Sequence, residues 1–410
     1  MKYDFTTVMD RHEKDAIAVD AVGTGGFAPG APQEGFDVIP MWVADMNFPT
    51  APSIQEAVIQ RMQHPAFGYF SLTDEYFNSI IRWQRERNGI DFLTKKCIGY
   101  ENGVLGGVLS ALKVCAQPGD AVLLHSPTYI GFTGSLTNNG YQIIHSPLCL
   151  DEDNIWRMDY EDMDAKIKEH HIHAAIFCSP HNPCGRVWER WEIEKAMEVY
   201  RANDCLVISD EIWSDLTLDG FSHIPTQSVS EDAKMRTFAF YAPSKTFNLA
   251  GLVGSYHIIY NPYLRDRFLA ASSKSHYNEA NVLSMHALIG AYKDAGMEWV
   301  DELRHVLTEN IDYACSFLAE HAQGIHVSRP QGTYMLFLDC ETWCKAHGKT
   351  MDELLKAGWD VGVAWQDGRP FHGTYGIRMN LALPLSRVQE AFARLEQYVF
   401  HPESYSNSAK

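Results

Sequence analysis

A lysine, a carboxylate and an amide stand out for their settings in this 410-residue chain. Lys245 follows a β-rich run in Tyr241-Ala242-Pro243-Ser244-Lys245, in a small-residue turn with Asn248, Ala250 and Gly251 behind it. Withdrawing an amine from water in such a turn lowers its pKa and makes the neutral, nucleophilic form available for Schiff-base chemistry. Asp210, in Ser209-Asp210-Glu211, comes just after the apolar run 205–208. That places it at the carboxyl end of a strand, where α/β sheets collect their ligands, although a solvated turn or a helix cap also accounts for it. Asn182 sits in Ser179-Pro180-His181-Asn182-Pro183-Cys184-Gly185-Arg186, whose prolines and glycine make a rigid turn able to direct an amide into a cleft. A fourth segment, Glu101-Asn102-Gly103-Val104-Leu105-Gly106-Gly107, opens an apolar helix, and free amides at such a start suit a phosphate.

The elements that must position these residues follow from patterning. Between about residues 95 and 260, short β-rich runs at 121–125, 142–145, 174–179, 205–209, 236–241 and 255–260 alternate with amphipathic segments such as 189–201. This is the signature of βαβ units and predicts a mostly parallel sheet covered by helices. Upstream, 74–88 puts Tyr76, Phe77, Ile80 and Ile81 on one helical face, with Gly89 at the stop. Residues 280–322 read as helical, and 325–400 mixes short strands (333–339, 361–364, 376–381) with helices such as 386–398, as in a smaller α+β domain.

Asn182, Asp210 and Lys245 lie at intervals of 28 and 35 residues, each beyond a different strand. The set N-P-x-G, D-E and S-K-T-F-N-x-A-G resembles the fold-type I pyridoxal 5′-phosphate (PLP) enzymes of the class I/II aminotransferase superfamily. Within it, M-W-V-A-D-M (41–46), S-P-H-N-P-C-G-R-V-W (179–188), S-D-E-I-W (209–213) and A-P-S-K-T-F-N-L-A-G-L (242–252) look most like the MalY/PatB-type carbon–sulfur β-lyases. The resemblance implies an α/β, PLP-dependent transferase-like fold. Its large domain (49–288) would hold a mostly parallel seven-stranded sheet between helices, with a smaller α+β domain (289–410) and an N-terminal segment (1–48) packing on the latter.

By the same resemblance, Lys245 carries the Schiff base and moves the proton, Asp210 faces the pyridine nitrogen and Asn182 donates to the ring's 3-oxygen. A carboxylate at that nitrogen keeps it protonated, which makes the ring an electron sink. Tyr129, in Ser126-Pro127-Thr128-Tyr129, matches the aromatic residue stacked on the ring. Gly103, Val104, Leu105 and the Ser244 hydroxyl match the phosphate cradle. Arg378, in Tyr375-Gly376-Ile377-Arg378-Met379-Asn380, aligns with the arginine that grips the amino-acid carboxylate in a bidentate fork, with Ala44 and Asn182 beside it. Tyr69 matches a tyrosine contributed across a homodimer interface. Phe48, Phe67, Tyr129 and Trp213 suggest an aromatic-rich substrate pocket.

Three positions depart from the family pattern. Trp213 stands where many relatives have a tyrosine that reaches the 3-oxygen, Val253 where many have a phosphate-binding arginine, and Asn47 where the lyase branch has an acid. The reaction implied is β-elimination of a thiol from L-cystathionine, L-cysteine or another S-substituted cysteine, giving pyruvate and ammonia. An aminotransferase uses the same residues and is the alternative; a regulatory protein that keeps the fold for binding a partner is a third reading, against which the complete residue set weighs.

With 34 Lys+Arg against 52 Asp+Glu, the net charge of −18 argues against nucleic acid or an anionic membrane surface as partner. No apolar run approaches the ~20 residues of a membrane span. The acidic N-terminal stretch is neither a signal nor a transit peptide, so a cytoplasmic location is expected. Nine scattered cysteines without a C-x-x-C pair read as reduced thiols. His170, His171 and His173 lack a metal-ligand frame and read as surface residues.

Overall fold

The computed structural model describes residues 1–275 and 277–401. Seven strands form its main sheet: β1 (Ile98–Asn102), β2 (Ala121–Ser126), β3 (Gln142–Pro147), β4 (Ala174–Cys178), β5 (Leu206–Asp210), β6 (Thr237–Tyr241) and β7 (Gly254–Ile258). Their order is β1-β7-β6-β5-β4-β2-β3, with β7 antiparallel to both neighbours and the rest parallel. Every residue of β4 and of β6 is buried. That is why those strands read as continuous apolar runs: helices cover both faces of a parallel sheet and leave no solvent side to alternate with.

Six of the strands coincide with the expected runs to within a residue or two. The seventh, β1, was not foreseen. Its I-G-Y-E-N sequence has weak β propensity, and it is held as a strand by its pairing with β7. Gly99 is required there, because a Cβ would sit 2.2 Å from the His257 ring on β7.

The strand order reverses between β2 and β4, so the segments leaving their carboxyl ends diverge and open a crevice between them. Tyr129 follows β2, Asn182 follows β4 and Asp210 ends β5, so the sheet alone delivers three candidate residues to one rim. Helix Val104–Cys115 crosses the sheet from the same rim.

A four-stranded antiparallel sheet, in the order His326–Val327, Met335–Asp339, Gly376–Asn380, Gln366–Asp367, builds the carboxyl-terminal part. Ile39–Pro40 pairs with Val363–Ala364, which ties the N-terminal segment to it. The 28-residue helix Asp294–His321 runs through the middle, burying Trp299, Leu303, Val306, Asn310 and Leu318 at helical spacing. Phe5 reaches back to Trp299 and Phe48 with ring centroids 5.3 and 5.2 Å away. All nine cysteines are free, and among the described residues no helix is long and apolar enough to cross a membrane.

Candidate active site

Ala44, Gly103, Val104, Leu105, Tyr129, Asn182, Asp210, Trp213, Ser244 and Lys245 line one cavity of about 210 Å³ at the crevice. Residues far apart in the chain meet because five strands, β1, β2, β4, β5 and β6, end on the same rim, and the segment carrying Ala44 packs against it.

Lys245 lies on the single-turn helix Pro243–Thr246 just beyond β6, and its Nζ donates to the Ala44 carbonyl at 2.8 Å. Burial, reinforced by the Arg378 charge, lowers its pKa to about 8, against the pull of Asp45 and Asp210. Two asparagines hold the backbone that receives this bond. Asn248 brackets Met46, accepting from its N–H at 3.0 Å and donating to its carbonyl at 2.8 Å. Asn380 donates to the Val43 carbonyl at 2.7 Å and to that of Asp45. Both lie in motifs already quoted, S-K-T-F-N and R-M-N, yet their task was invisible until the chain folded.

Asp210 is buried and its Oδ1 accepts one protein hydrogen bond, from the Ile212 N–H at 3.1 Å. Desolvation raises its pKa to about 7, and the neighbouring Glu211 adds to the rise. Such a carboxyl group gains most from a positive partner. Tyr129 stands at the start of helix Ile130–Asn138, edge-to-face with Phe132 at 5.3 Å. Gly131 makes room for its ring, since a Cβ there would fall 2.3 Å from it. The indole of Trp213 lies 5.8 Å from Lys245 Nζ and packs edge-to-face on Tyr334 at 4.8 Å.

At one end of the cavity, Gly103 (φ 83°) caps helix Val104–Cys115 without a side chain. The first-turn N–H groups thus have no acceptor within the helix or from its cap. Val253 borders this end, half exposed and itself at φ 62°. Lys245 is the one cationic side chain among the lining residues.

Beyond the other end, Arg378 on strand Gly376–Asn380 is 5% exposed. Its Nη2 donates to the Trp42 carbonyl at 2.9 Å and its Nη1 to Asn182 Oδ1 at 3.4 Å, while its face stacks over Phe371 at 4.4 Å. Among the described residues its Nε has no partner and no carboxylate neutralises it. Burial lowers its pKa to about 10. A buried, unneutralised guanidinium is a receptor for an anion.

Tyr69 is fully exposed and lies outside the cavity lining. Two members of the expected aromatic pocket are also elsewhere. Phe48 is buried in the core against Phe5, because the segment after Met46 turns inward, and Phe67 is half exposed beneath the Arg61 guanidinium at 5.0 Å. Tyr129 and Trp213 alone of that group line the cavity. Arg11, which sequence reading passed over, forks onto Asp45 at 2.6 and 3.2 Å and reaches Asn47 Oδ1 at 3.0 Å, so the position where relatives carry an acid is met here by an amide.

Residues 37–395 match the family model described as aminotransferase class I and II. The chain belongs to this family. It is 31% identical over 363 residues to the cystathionine beta-lyase PatB of Bacillus subtilis, covering 88% of this chain and 92% of that one. Protein MalY of Escherichia coli is 30% identical over 408 residues, covering 96% and 98%. Among solved structures, cystalysin from Treponema denticola, which contains pyridoxal 5′-phosphate, superposes with a TM-score of 0.88 at 29% identity over 97% of this chain and 98% of that one. The cofactor of this family member is pyridoxal 5′-phosphate. The cavity fits it: uncapped helix amides and the Ser244 hydroxyl for a phosphate at one end, a buried lysine for a carbonyl, and a carboxyl short of donors for a basic ring nitrogen.

Proposed function

We propose that the protein is a carbon–sulfur β-lyase that eliminates the thiol from L-cystathionine, L-cysteine or an S-substituted cysteine, releasing pyruvate and ammonia. The observation that carries this reading is the pairing of a buried amine of lowered proton affinity, Lys245, with a buried guanidinium, Arg378, that has no acid partner among the described residues. Together they suit a substrate bearing a carboxylate and an acidic Cα–H. The likeness to PatB and MalY supports the lyase branch.

When bound, pyridoxal phosphate supplies a carbonyl that takes up the substrate's amine and a ring that receives the electron pair left on Cα. The chain's own residues do the rest. Arg378 grips the α-carboxylate, and with Asn182 beside it fixes which bond at Cα stands perpendicular to the ring. Lys245, whose proton affinity burial has lowered, takes the Cα proton in its neutral form. Asp210 holds the proton of the ring nitrogen, Asn182 donates to the ring oxygen, and the Tyr129 ring covers one face. Val104, Leu105 and Ser244 hold the phosphate by N–H and O–H donation. The electron pair left by the Cα proton forms the Cα–Cβ double bond as the β-thiolate departs, and water hydrolyses the released enamine to pyruvate and ammonia.

We also infer a homodimer in which Tyr69 reaches the neighbouring site. Tyr69 is fully exposed, and Phe67, Met62 and Ile59 nearby are each more than half exposed, an apolar surface that a second copy would cover. Domain limits at residues 48 and 288 belong to the same reading. The test is continuous assay of pyruvate from L-cystathionine, and separately from an S-alkyl-cysteine, with PLP-loaded protein and no oxo acid. Sustained turnover supports elimination; a single burst restarted by an oxo acid would mean transamination.

A further inference from the structure

Immediately after Asp210, on the side of the strand end away from the cavity lining, Glu211 is wholly buried and accepts four hydrogen bonds. Ser209 Oγ (2.9 Å) and the Thr226 N–H (3.1 Å) donate to Oε1, while His223 Nε2 (2.7 Å) and Tyr241 Oη (2.6 Å) donate to Oε2. With the His223 proton on Nε2, four donors fill the lone-pair positions of an ionised carboxylate. His223 Nδ1 is buried and has no partner among the described residues, which fits the tautomer whose proton sits on Nε2 and is donated to Glu211. Tyr241, Tyr256 and Tyr260, the other titratable side chains facing Glu211, are phenols whose pKa values burial pushes further upward. The cluster therefore keeps one net negative charge. Asp210, by contrast, has a single N–H on its carboxyl group. Adjacent carboxyl groups in such unequal surroundings have their proton affinities driven apart, the well-solvated one ionising and the poorly solvated one holding a proton.

We propose that Glu211 is a positioning residue that acts through Asp210: its fixed charge raises the proton affinity of the Asp210 side and so keeps the cofactor's ring nitrogen protonated during turnover. The inference rests on the reading that Asp210 faces that nitrogen. Ser209, Thr226, His223 and Tyr241 serve to hold the charge in place, which accounts for a buried polar cluster none of whose members lines the active-site cavity.

The test uses holoenzyme loaded with PLP labelled with ¹⁵N in the ring, following the ring-nitrogen chemical shift against pH. Glu211→Gln should move the midpoint of the nitrogen titration down by about one pH unit, the size a unit charge roughly 10 Å away has in a medium of effective dielectric about 20. Glu211→Asp, which keeps the charge, should restore it to within a few tenths. In steady state kcat should fall in Glu211→Gln with KM held, since Arg378 is untouched. Where Glu211→Gln does not accumulate as holoenzyme, the double variant Tyr241→Phe/His223→Leu strips Oε2 of both donors, leaves the charge unsupported and should move the midpoint the same way. A wild-type midpoint in either variant overturns the proposal. Asp210→Asn separates the two levels: a ring nitrogen that still titrates as in wild type sinks the placement of Asp210 itself, whatever Glu211 does.

Discussion

At one end of the cavity a helix start, a glycine and the Ser244 hydroxyl offer an anion dipoles, with Lys245 the one cation of the lining; beyond the other, Arg378 carries a charge that no acid among the described residues neutralises. Helix amides keep their alignment whether or not an anion is bound, and leaving them empty costs little. A buried guanidinium is costly when empty, and the depression of the Arg378 pKa to about 10 shows that cost. In the proposed function the first end holds a phosphate that stays and the second a carboxylate that comes and goes with every turnover. The cost of the unpaired charge is relieved on binding, which favours a substrate with the right anion in the right place.

Removing the charged end should have the largest effect. Arg378→Ala should lower kcat/KM about 10²- to 10³-fold, as for truncating one partner of a buried charge pair, while the Kd for PLP measured by absorbance titration stays within twofold. A comparable rise in the PLP Kd would erase the distinction between the ends.

Between the ends, the raised Asp210 pKa carries a pH signature in the cofactor-free protein. Because it stands at about 7, against 3.8 for the unperturbed group, the contribution of Asp210 to stability is fully present below about 3.8 and is lost as pH rises through about 7. Thermal unfolding of apoprotein and of its Asp210→Asn variant should therefore diverge steadily from about pH 4 to about pH 8, with the variant the relatively more stable at the upper limit. PLP should suppress the divergence by placing a proton opposite the carboxylate. Parallel curves without PLP would mean Asp210 is not desolvated as its burial indicates.

A smaller loss is expected from Ser244→Ala at the dipolar end. One hydrogen bond to a charged group is worth about 1.5–3 kcal/mol, so the PLP Kd should rise roughly tenfold or more, with the KM for the amino acid unchanged once the cofactor saturates. The smallest effect concerns Val253, a β-branched residue at φ 62°. Such a backbone costs about 1–2 kcal/mol for a residue with a Cβ, and glycine gives some of this back in chain entropy. Val253→Gly should raise stability by about 1 kcal/mol in a denaturant titration without weakening PLP binding; weaker binding would show that the valine itself shapes the phosphate end.

Much of the sheet could be read before folding. Runs 174–179 and 236–241 are apolar throughout because both faces of a parallel sheet are covered, and the stop at Gly89 is realised as a left-handed cap at φ 69°. Strand Ile98–Asn102 escaped because its stability comes from pairing with Gly254–Ile258, a partner more than 150 positions away. Phe48 and Phe67 were misplaced for a related reason: an aromatic residue near a motif carries no record of whether the chain next turns toward the cavity, the core or the solvent.

Residue type and order by themselves determined which groups could act. A lysine in a turn, a carboxylate at a strand end, an amide between prolines and an arginine in a late strand are chemical identities written locally, and their spacing matches strands of ordinary length. Only the tertiary structure decided their states. Lys245 holds its proton less tightly and Asp210 more tightly than usual because of what surrounds them, Arg378 has no acid beside it among the described residues, and Glu211 differs from the residue next to it through donors from Ser209, His223, Thr226 and Tyr241. Proton affinity is set by solvation and neighbours within a few ångströms, and neighbours in space are what a linear sequence does not list.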